Sequence, residues 1–263
     1  METNLTRRQE RLFAELKARH GRKKSEFCVC EGLRCCEELF RSPALSLLEL
    51  VAAAPGAAER LALPPAALSR LVTVDEKRLQ QLASTVNSQG ILALVRRPES
   101  PPAALPVPDP FIFALDKLGD PGNFGTILRT VRAAGLHELW FTAGSVDPYG
   151  AKAIRSGLAA QFSLTLREFA DLDALAEGAA ELGYPTVYLT DPHCGESCFT
   201  CEALFAHSVI VIGSEAHGVG AAAAGRRVTI PMPGGFESLN AAQAATIVLF
   251  EHVRRGGVGR SEG

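Results

Sequence analysis

Apolar positions along the chain alternate between helical and strand periods, and the character of the runs changes near residue 100. In residues 4–20, Leu5, Leu12, Phe13 and Leu16 gather on one side of a 3.6-residue period, which predicts an amphipathic helix. "EFCVCEG" then reads as a short strand and "LRCCEELFRS" as a short helix. "LSLLELVAAAP" is continuously apolar, "SRLVTVDEKRLQQLAS" reads as a strand followed by a helix, and "GILALVRRP" as a buried strand. Residues 1–97 are therefore expected to form a small α/β domain preceded by a polar arm. The stretch 98–109, inside "PESPPAALPVPDP", carries neither period and is dense in proline, as a stiff linker would be.

From residue 110 to 255 the apolar runs are short and continuous: "FIFALDK", "ELWFT", "FSLTL", "PTVYLT", "SVIVIG" and "RVTIPM". Helical patterns such as "TILRTVRAAG" and "DLDALAEGAAELG" lie between several of them. Strands without alternation, interleaved with helices, predict an α/β domain with a parallel sheet covered on both faces. Residues 256–263 read as a tail. In sheets of this kind ligands sit beyond the carboxyl ends of the strands.

Three polar, glycine-rich stretches fall at such ends. "LDKLGDPGNFGTILRTVRAAG" follows a strand and opens a helix that Asn123 could cap, with Arg129 six residues on. It lacks both GxGxxG and the Walker lysine, so neither nucleotide fingerprint applies. In "VIVIGSEAHGVG" the chain leaves a strand through Gly213 to Glu215 and His217, and the carboxylate could accept from a hydroxyl. In "RVTIPMPGGFESLNAAQAATIVLFE", Ser238 and Asn240 are both good caps, in front of a helix that is apolar or small almost all round. Such a helix is buried on most sides, by its own domain or by a second copy of the chain. Its N-terminus would form a polar spot in an apolar wall. Each stretch also has a plain reading as a capped helix or a surface turn.

Composition narrows this little. Of 263 residues, 47% are apolar and 21% charged, with a net charge of −2, so no global basic field announces a nucleic acid. The first 24 residues do carry a local excess: Arg7, Arg8, Arg11, Lys17, Arg19, Arg22, Lys23 and Lys24 against Glu2, Glu10 and Glu15. That arm suits either a nucleic-acid contact or a solvated helix end. No apolar leader or membrane-length run is visible, and the seven cysteines read as thiols of a cytoplasmic protein. His193, Cys194, Cys198 and Cys201 lie close enough in sequence for a zinc site, with ordinary thiols as the alternative.

Taken in order, "NFGTILRTVRAAG", "GSEAHGVG" and "IPMPGGFESLNAAQAA" resemble the three motifs of the SpoU-type (TrmH-like) RNA 2′-O-ribose methyltransferases of the SPOUT superfamily. "KAIRSGLAAQF" is similar to the family's connecting segment. "FCVCEGLRCCEEL" and "LQQLASTVNSQGILALV" resemble its N-terminal substrate-binding domain. The resemblance implies a deep trefoil knot in the C-terminal domain, S-adenosylmethionine as methyl donor without a metal, and a homodimer paired through the knotted domains. It implies an RNA substrate, ribosomal before transfer RNA, gripped by the smaller N-terminal domain. Cofactor contacts would fall at Gly213, Ile230 and Leu239. Asn123, Arg129, Glu215, Ser238 and Asn240 would be the reacting set. "AH" after Glu215 and Ala241 after "SLN" depart from the usual pattern. The first departure makes His217 a candidate for tuning the substrate side. An ordinary doubly wound nucleotide-binding protein and an RNA-binding relative without catalysis are the competing readings. The first predicts a glycine fingerprint and the second the loss of motif residues, and neither is seen.

Overall fold

The computed structural model describes residues 5–18, 21–22, 25–85, 88–101, 105–214, 224–235 and 237–256. In chain order its first elements are α1 (Arg7–Lys17), β1 (Phe27–Glu31), α2 (Leu33–Arg41), β2 (Leu48–Ala53), α3 (Pro65–Leu68), β3 (Leu71–Thr73), α4 (Glu76–Leu82) and β4 (Ile91–Arg96). There follow β5 (Ile112–Leu115), α5 (Pro121–Ala133), β6 (Glu138–Thr142), α6 (Ala151–Gly157), β7 (Thr165–Phe169), α7 (Leu172–Glu181), β8 (Thr186–Thr190), β9 (Glu196–Ser197), β10 (Ser208–Ile212), β11 (Arg226–Thr229) and α8 (Ala241–Arg254). The chain divides into two compact units, Met1–Glu99 with Asp147–Ser163, and Ser100–Val146 with Leu164–Gly263.

The first unit is built on a four-stranded sheet in the order β1-β4-β2-β3, with β4 antiparallel to both its neighbours. The amphipathic helix expected over 4–20 is α1. Thr6 accepts from the Gln9 N–H while the Gln9 side chain accepts from the Thr6 N–H, a reciprocal cap that fixes its start. Phe13 and Leu16 of α1 are buried in the unit's core, each stabilising it by about 1.5–3 kcal/mol. The basic arm is therefore anchored by its apolar face, and Arg7, Arg8 and Arg11 are left exposed.

Segment 147–163 completes this core. Ile154, Ala159 and Phe162 are buried within it, and the Cys35 thiol faces the Ile154 carbonyl. Two polar clasps hold the segment. The guanidinium of Arg97 spans both oxygens of Asp147 at 3.3 and 3.2 Å. Arg155 donates to the Ser84 hydroxyl at 2.9 Å, beside the buried Glu31 carboxylate. Burial pushes Glu31 up, but hydrogen bonds from Ser84 and Thr85 outweigh it and hold the carboxyl below its ordinary value.

The second unit is an all-parallel, seven-stranded sheet in the order β7-β6-β5-β10-β8-β11-β9. Every residue of β5, β6 and β10 is buried, the signature of a sheet covered on both faces. Ile112, Ala114, Trp140, Val209 and Val211 share one core with Leu175 and Ala179 of α7. The alternate positions point the other way, where Phe141 meets Phe124 of α5 edge-on at 5.6 Å. α8 packs on α5.

The end of the proline-rich stretch is tied to this unit. Asp109 accepts from the backbone N–H groups of His137 and Glu138, and Tyr184 donates to the Asp109 carbonyl at 2.6 Å. At the sheet edge a buried Arg167 clasps Glu138 through two contacts of 2.8 Å and donates to the Leu105 carbonyl. The two-residue β9 is not foreshadowed by any apolar run. Gly195, at φ +121°, turns the chain into it, and a Cβ there would lie 2.5 Å from the Arg227 carbonyl.

Candidate active site

Strand order and register bring the three glycine-rich stretches together. β10 is flanked by β5 and β8, and β11 lies on the far side of β8. Ile212 pairs with Leu115, and Val228 with Thr190. The carboxyl ends of four adjacent strands therefore form one row: Asp116 after β5, Gly213 after β10, Thr190 at the end of β8, and Thr229 with Ile230 at the end of β11. Hydrogen bonds cross-link this row. The Asp116 N–H donates to the Ile212 carbonyl, the Thr190 hydroxyl to the Val211 carbonyl, and the Asp191 N–H to the Val228 carbonyl, each at 2.9 Å.

The loop from β5 to α5 is held by the end of β6. Thr142 donates its hydroxyl to the buried Asp116 carboxylate at 2.7 Å and accepts from the Lys117 N–H at 3.0 Å. The Ser145 hydroxyl oxygen accepts from the Leu118 N–H at 3.1 Å. Asp120 is thereby delivered to the helix start, with Pro121 at the first helical position. Its carboxylate accepts from the Asn123 N–H at 2.7 Å. The expectation that Asn123 caps α5 is thus corrected: Asp120 is the cap, and Asn123 sits inside the first turn.

That leaves the Asn123 side chain for another contact. Its Oδ1 accepts from Asn240 Nδ2 at 3.1 Å. Asn240 is the cap of α8, and its Oδ1 accepts from the N–H groups of Ala242 at 2.9 Å and Gln243 at 3.4 Å. The helix therefore begins at Ala241 and not at Ser238. Ser238 lies two residues upstream of the cap and is exposed. Gly235, at φ +67°, makes the turn before it, its N–H on the Met232 carbonyl. The N-terminal ends of α5 and α8 thus meet side by side, each a partial positive charge.

The remaining expected residues fall as follows. Gly213 is buried at the end of β10, and Ile230 and Leu239 are half-buried. Arg129 is exposed on α5. It stands about 9 Å further along the helix axis than Asn123 and about 120° round from it, so it is not part of the asparagine pair. Among the described residues it makes no ion pair. Glu215 and His217 lie outside the described residues.

α8 is less buried than its composition suggests. Ala241, Ala242, Ala245, Val248 and Leu249 are inside, whereas Phe250 is 45% exposed and Ile247 half-buried. Near its end, Glu251 takes paired hydrogen bonds from Arg254 and one from Arg255. Arg254 first, and then Arg255, hold its carboxyl at about 2 against the opposing effect of burial. Arg255 also donates to the carbonyls of Cys198 and Cys201. Both of those thiols are buried, and burial pushes Cys198 up to about 11. Among the described residues no three histidine, cysteine or carboxylate side chains come together to hold an ion. A cleft lined by Glu10, Asp75, Lys77, Arg78, Gln81 and Leu82 lies in the first unit and contains none of the site residues.

Two family models match the chain: "SpoU rRNA Methylase family" over residues 110–250, and "MRM3-like substrate binding domain" over residues 10–93. The chain belongs to the SpoU rRNA methylase family. An uncharacterized tRNA/rRNA methyltransferase of Synechocystis is 32% identical over 67% of this chain and 65% of its own length. A 23S rRNA (uridine(2479)-2′-O)-methyltransferase of Streptomyces viridochromogenes is 33% identical over 65% of this chain and 62% of its own length. The chain therefore spans under two thirds of either relative. The solved SpoU methyltransferase AviRb of S. viridochromogenes, in complex with the cofactor AdoMet, superposes with a TM-score of 0.77 at 25% identity, covering 97% of this chain and 100% of that one. A deep trefoil knot in the second unit is implied by membership of this family.

Two features of this SpoU site go beyond the residues expected from the sequence. Asp120 and Asn123 are equally good caps by type, so residue type does not choose between them. The end of β8 lies between the Gly213 and Ile230 ends. There Asp191 accepts from the N–H of His193 at 2.8 Å and of Cys194 at 3.1 Å, and chiefly the His193 bond holds it below its ordinary value. The polar, glycine-containing "DPHCGES" directly after a strand was the available signal.

Proposed function

We propose that this chain transfers a methyl group from S-adenosylmethionine to a ribose 2′-hydroxyl of RNA, with ribosomal RNA as the substrate. The observation that carries the reading is the Asn123–Asn240 hydrogen bond, which joins the first and third motifs. The residues fit the cofactor. Gly213 carries no side chain at the sheet's end, and Ile230 and Leu239 are half-buried apolar residues of the third motif. When bound there, S-adenosylmethionine supplies an electrophilic sulfonium methyl.

The chain's own part is positioning and electrostatics. A 2′-hydroxyl becomes a good nucleophile only as its proton leaves, and the two helix N-termini favour the negative charge that develops. Arg129 supplies a planar guanidinium whose forked donors orient the ribose or a neighbouring phosphate. The exposed Arg7, Arg8 and Arg11 of α1 would neutralise phosphates further along the RNA. The similarity of residues 10–93 to a substrate-binding domain supports this placement. The exposed Phe250 and half-buried Ile247 of α8 would pair with a second copy, making a homodimer, and the chain would act in the cytoplasm.

Arg129→Ala is the test. Methyl transfer to ribosomal RNA should fall by about 100-fold or more, with calorimetric affinity for S-adenosylmethionine retained. Transfer at near the wild-type rate would remove Arg129 from the mechanism. Light scattering should give a dimer at micromolar concentration, and a clean monomer would count against the pairing through α8.

A further inference from the structure

Asn123 and Asn240 come from distant parts of the sequence, and the chemistry of their contact fixes which way each amide faces. Of the two ends of a carboxamide, only the oxygen can accept from a helix N–H. Asn240 must therefore turn Oδ1 towards Ala242 and Gln243, and its NH2 group points away from α8. An NH2 group needs an acceptor, and Asn123 presents Oδ1 to it at 3.1 Å. The oxygen of Asn123 is thus committed to Asn240, and its own NH2 lies at the opposite end of the carboxamide. No choice of amide assignment is left open, because a flip of either group would set donor against donor or acceptor against acceptor. The backbone of Asn123 is fixed as well, by Asp120.

We infer that Asn240 is a positioning residue, which sets the orientation of the Asn123 carboxamide rather than meeting the RNA with its own polar atoms. The cap of α8 in this way dictates the hydrogen-bonding face that the first motif presents to the substrate. The inference rests on the methyl-transfer reading above and deepens it: of the two asparagines expected to face the reaction, one acts through the other.

Asn240→Asp separates the roles. An aspartate caps a helix as well as an asparagine does, so melting should stay within about 2 °C of the wild type. It has no N–H to donate, so Asn123 must reverse its carboxamide to donate to the new carboxylate. The expected result is a fall in kcat of about 100-fold with KM for RNA little changed. Asn123→Ala should lose a similar factor. In the Asn123→Ala background, Asn240→Asp should cost less than about threefold more. Multiplying losses would show that Asn240 acts on its own and would overturn the inference. Asn123→Asp keeps the oxygen facing Asn240 but replaces the NH2 end, so it should be as inactive as Asn123→Ala, and full activity there would also overturn it.

An activity-independent readout is the side-chain amide resonance of Asn123 in 15N-labelled protein, which should shift in Asn240→Asp. An unmoved resonance refutes the coupling. A wild-type protein that transfers no methyl to any RNA sinks the catalytic reading instead, and the resonance still answers for the coupling.

Discussion

Replacing Asp120 with alanine should loosen the first turn of α5 and leave the rest of the helix in place. The carboxylate accepts from the Asn123 N–H at 2.7 Å and is the side-chain cap of this helix among the described residues. Losing a capping acceptor costs about 1 kcal/mol, and losing a negative charge at a helix N-terminus adds about 0.5 kcal/mol. Beyond that turn α5 is held by Phe124, Ile127, Leu128 and Val131, all buried, so the helix survives. A loss of about 1.5 kcal/mol is roughly a tenfold change in a local opening equilibrium. It should lower the melting of the second unit by about 3–6 °C.

Hydrogen exchange resolved at the Asn123 amide reads the first effect and calorimetry the second. Asp120→Asn keeps the acceptor and gives up only the charge, so it should cost about 0.5 kcal/mol. Methyl transfer should fall with the exchange protection, because the freed group is the backbone of Asn123 itself. An Asn123 amide as protected in Asp120→Ala as in the wild type would refute the capping account. A loss in Asp120→Asn as large as in Asp120→Ala would assign the effect to charge alone.

Arg167→Met strands the buried Glu138 carboxylate and should destabilise the second unit by about 3–5 kcal/mol, read by denaturant unfolding, with most of the loss recovered when Glu138→Gln is added. Glu251 titrates at about 2 when folded against 4.5 ordinarily. A depressed carboxyl stabilises the fold in full above its unfolded value, so this contribution should be lost as pH falls from about 4.5 towards 2. Glu251→Gln should flatten that part of the stability–pH curve, and an unchanged curve would refute the assignment. Because α1 buries Phe13 and Leu16, the basic arm is better tested by charge than by truncation. Arg7→Gln, Arg8→Gln and Arg11→Gln combined should lower the salt dependence of RNA binding by about 2 in log–log slope with melting unchanged, and an unaltered slope would leave the arm a structural role only.

The sequence by itself determined the elements and the chemical inventory. "SVIVIG" and "ELWFT" are apolar at every position because both faces of their strands are buried, and that pattern is readable without any partner. The three glycine-rich stretches could be picked out because polar residues directly after such strands are costly to place anywhere but at a site. Tertiary structure decided how these parts meet. The order β5-β10-β8-β11 sets the end of β8 between the second and third stretches, and no local signal encodes which parallel strands become neighbours. It also decided which residues cap. Asp120 and Asn123 are equivalent candidates by type, as are Ser238 and Asn240, and each choice was made by a remote contact. Thr142 and Ser145 hold the loop that delivers Asp120 to its helix, and Asn123 takes the amide that Asn240 turns away from its own. Segment 147–163 reads by sequence as part of the second domain, yet it packs with the first unit, because Arg97 and the Arg155–Glu31 pair hold it there and Ile154 and Phe162 fill that core. Local sequence limits what a residue can do, but these contacts join positions tens of residues apart, and only the folded chain brings them within hydrogen-bonding distance.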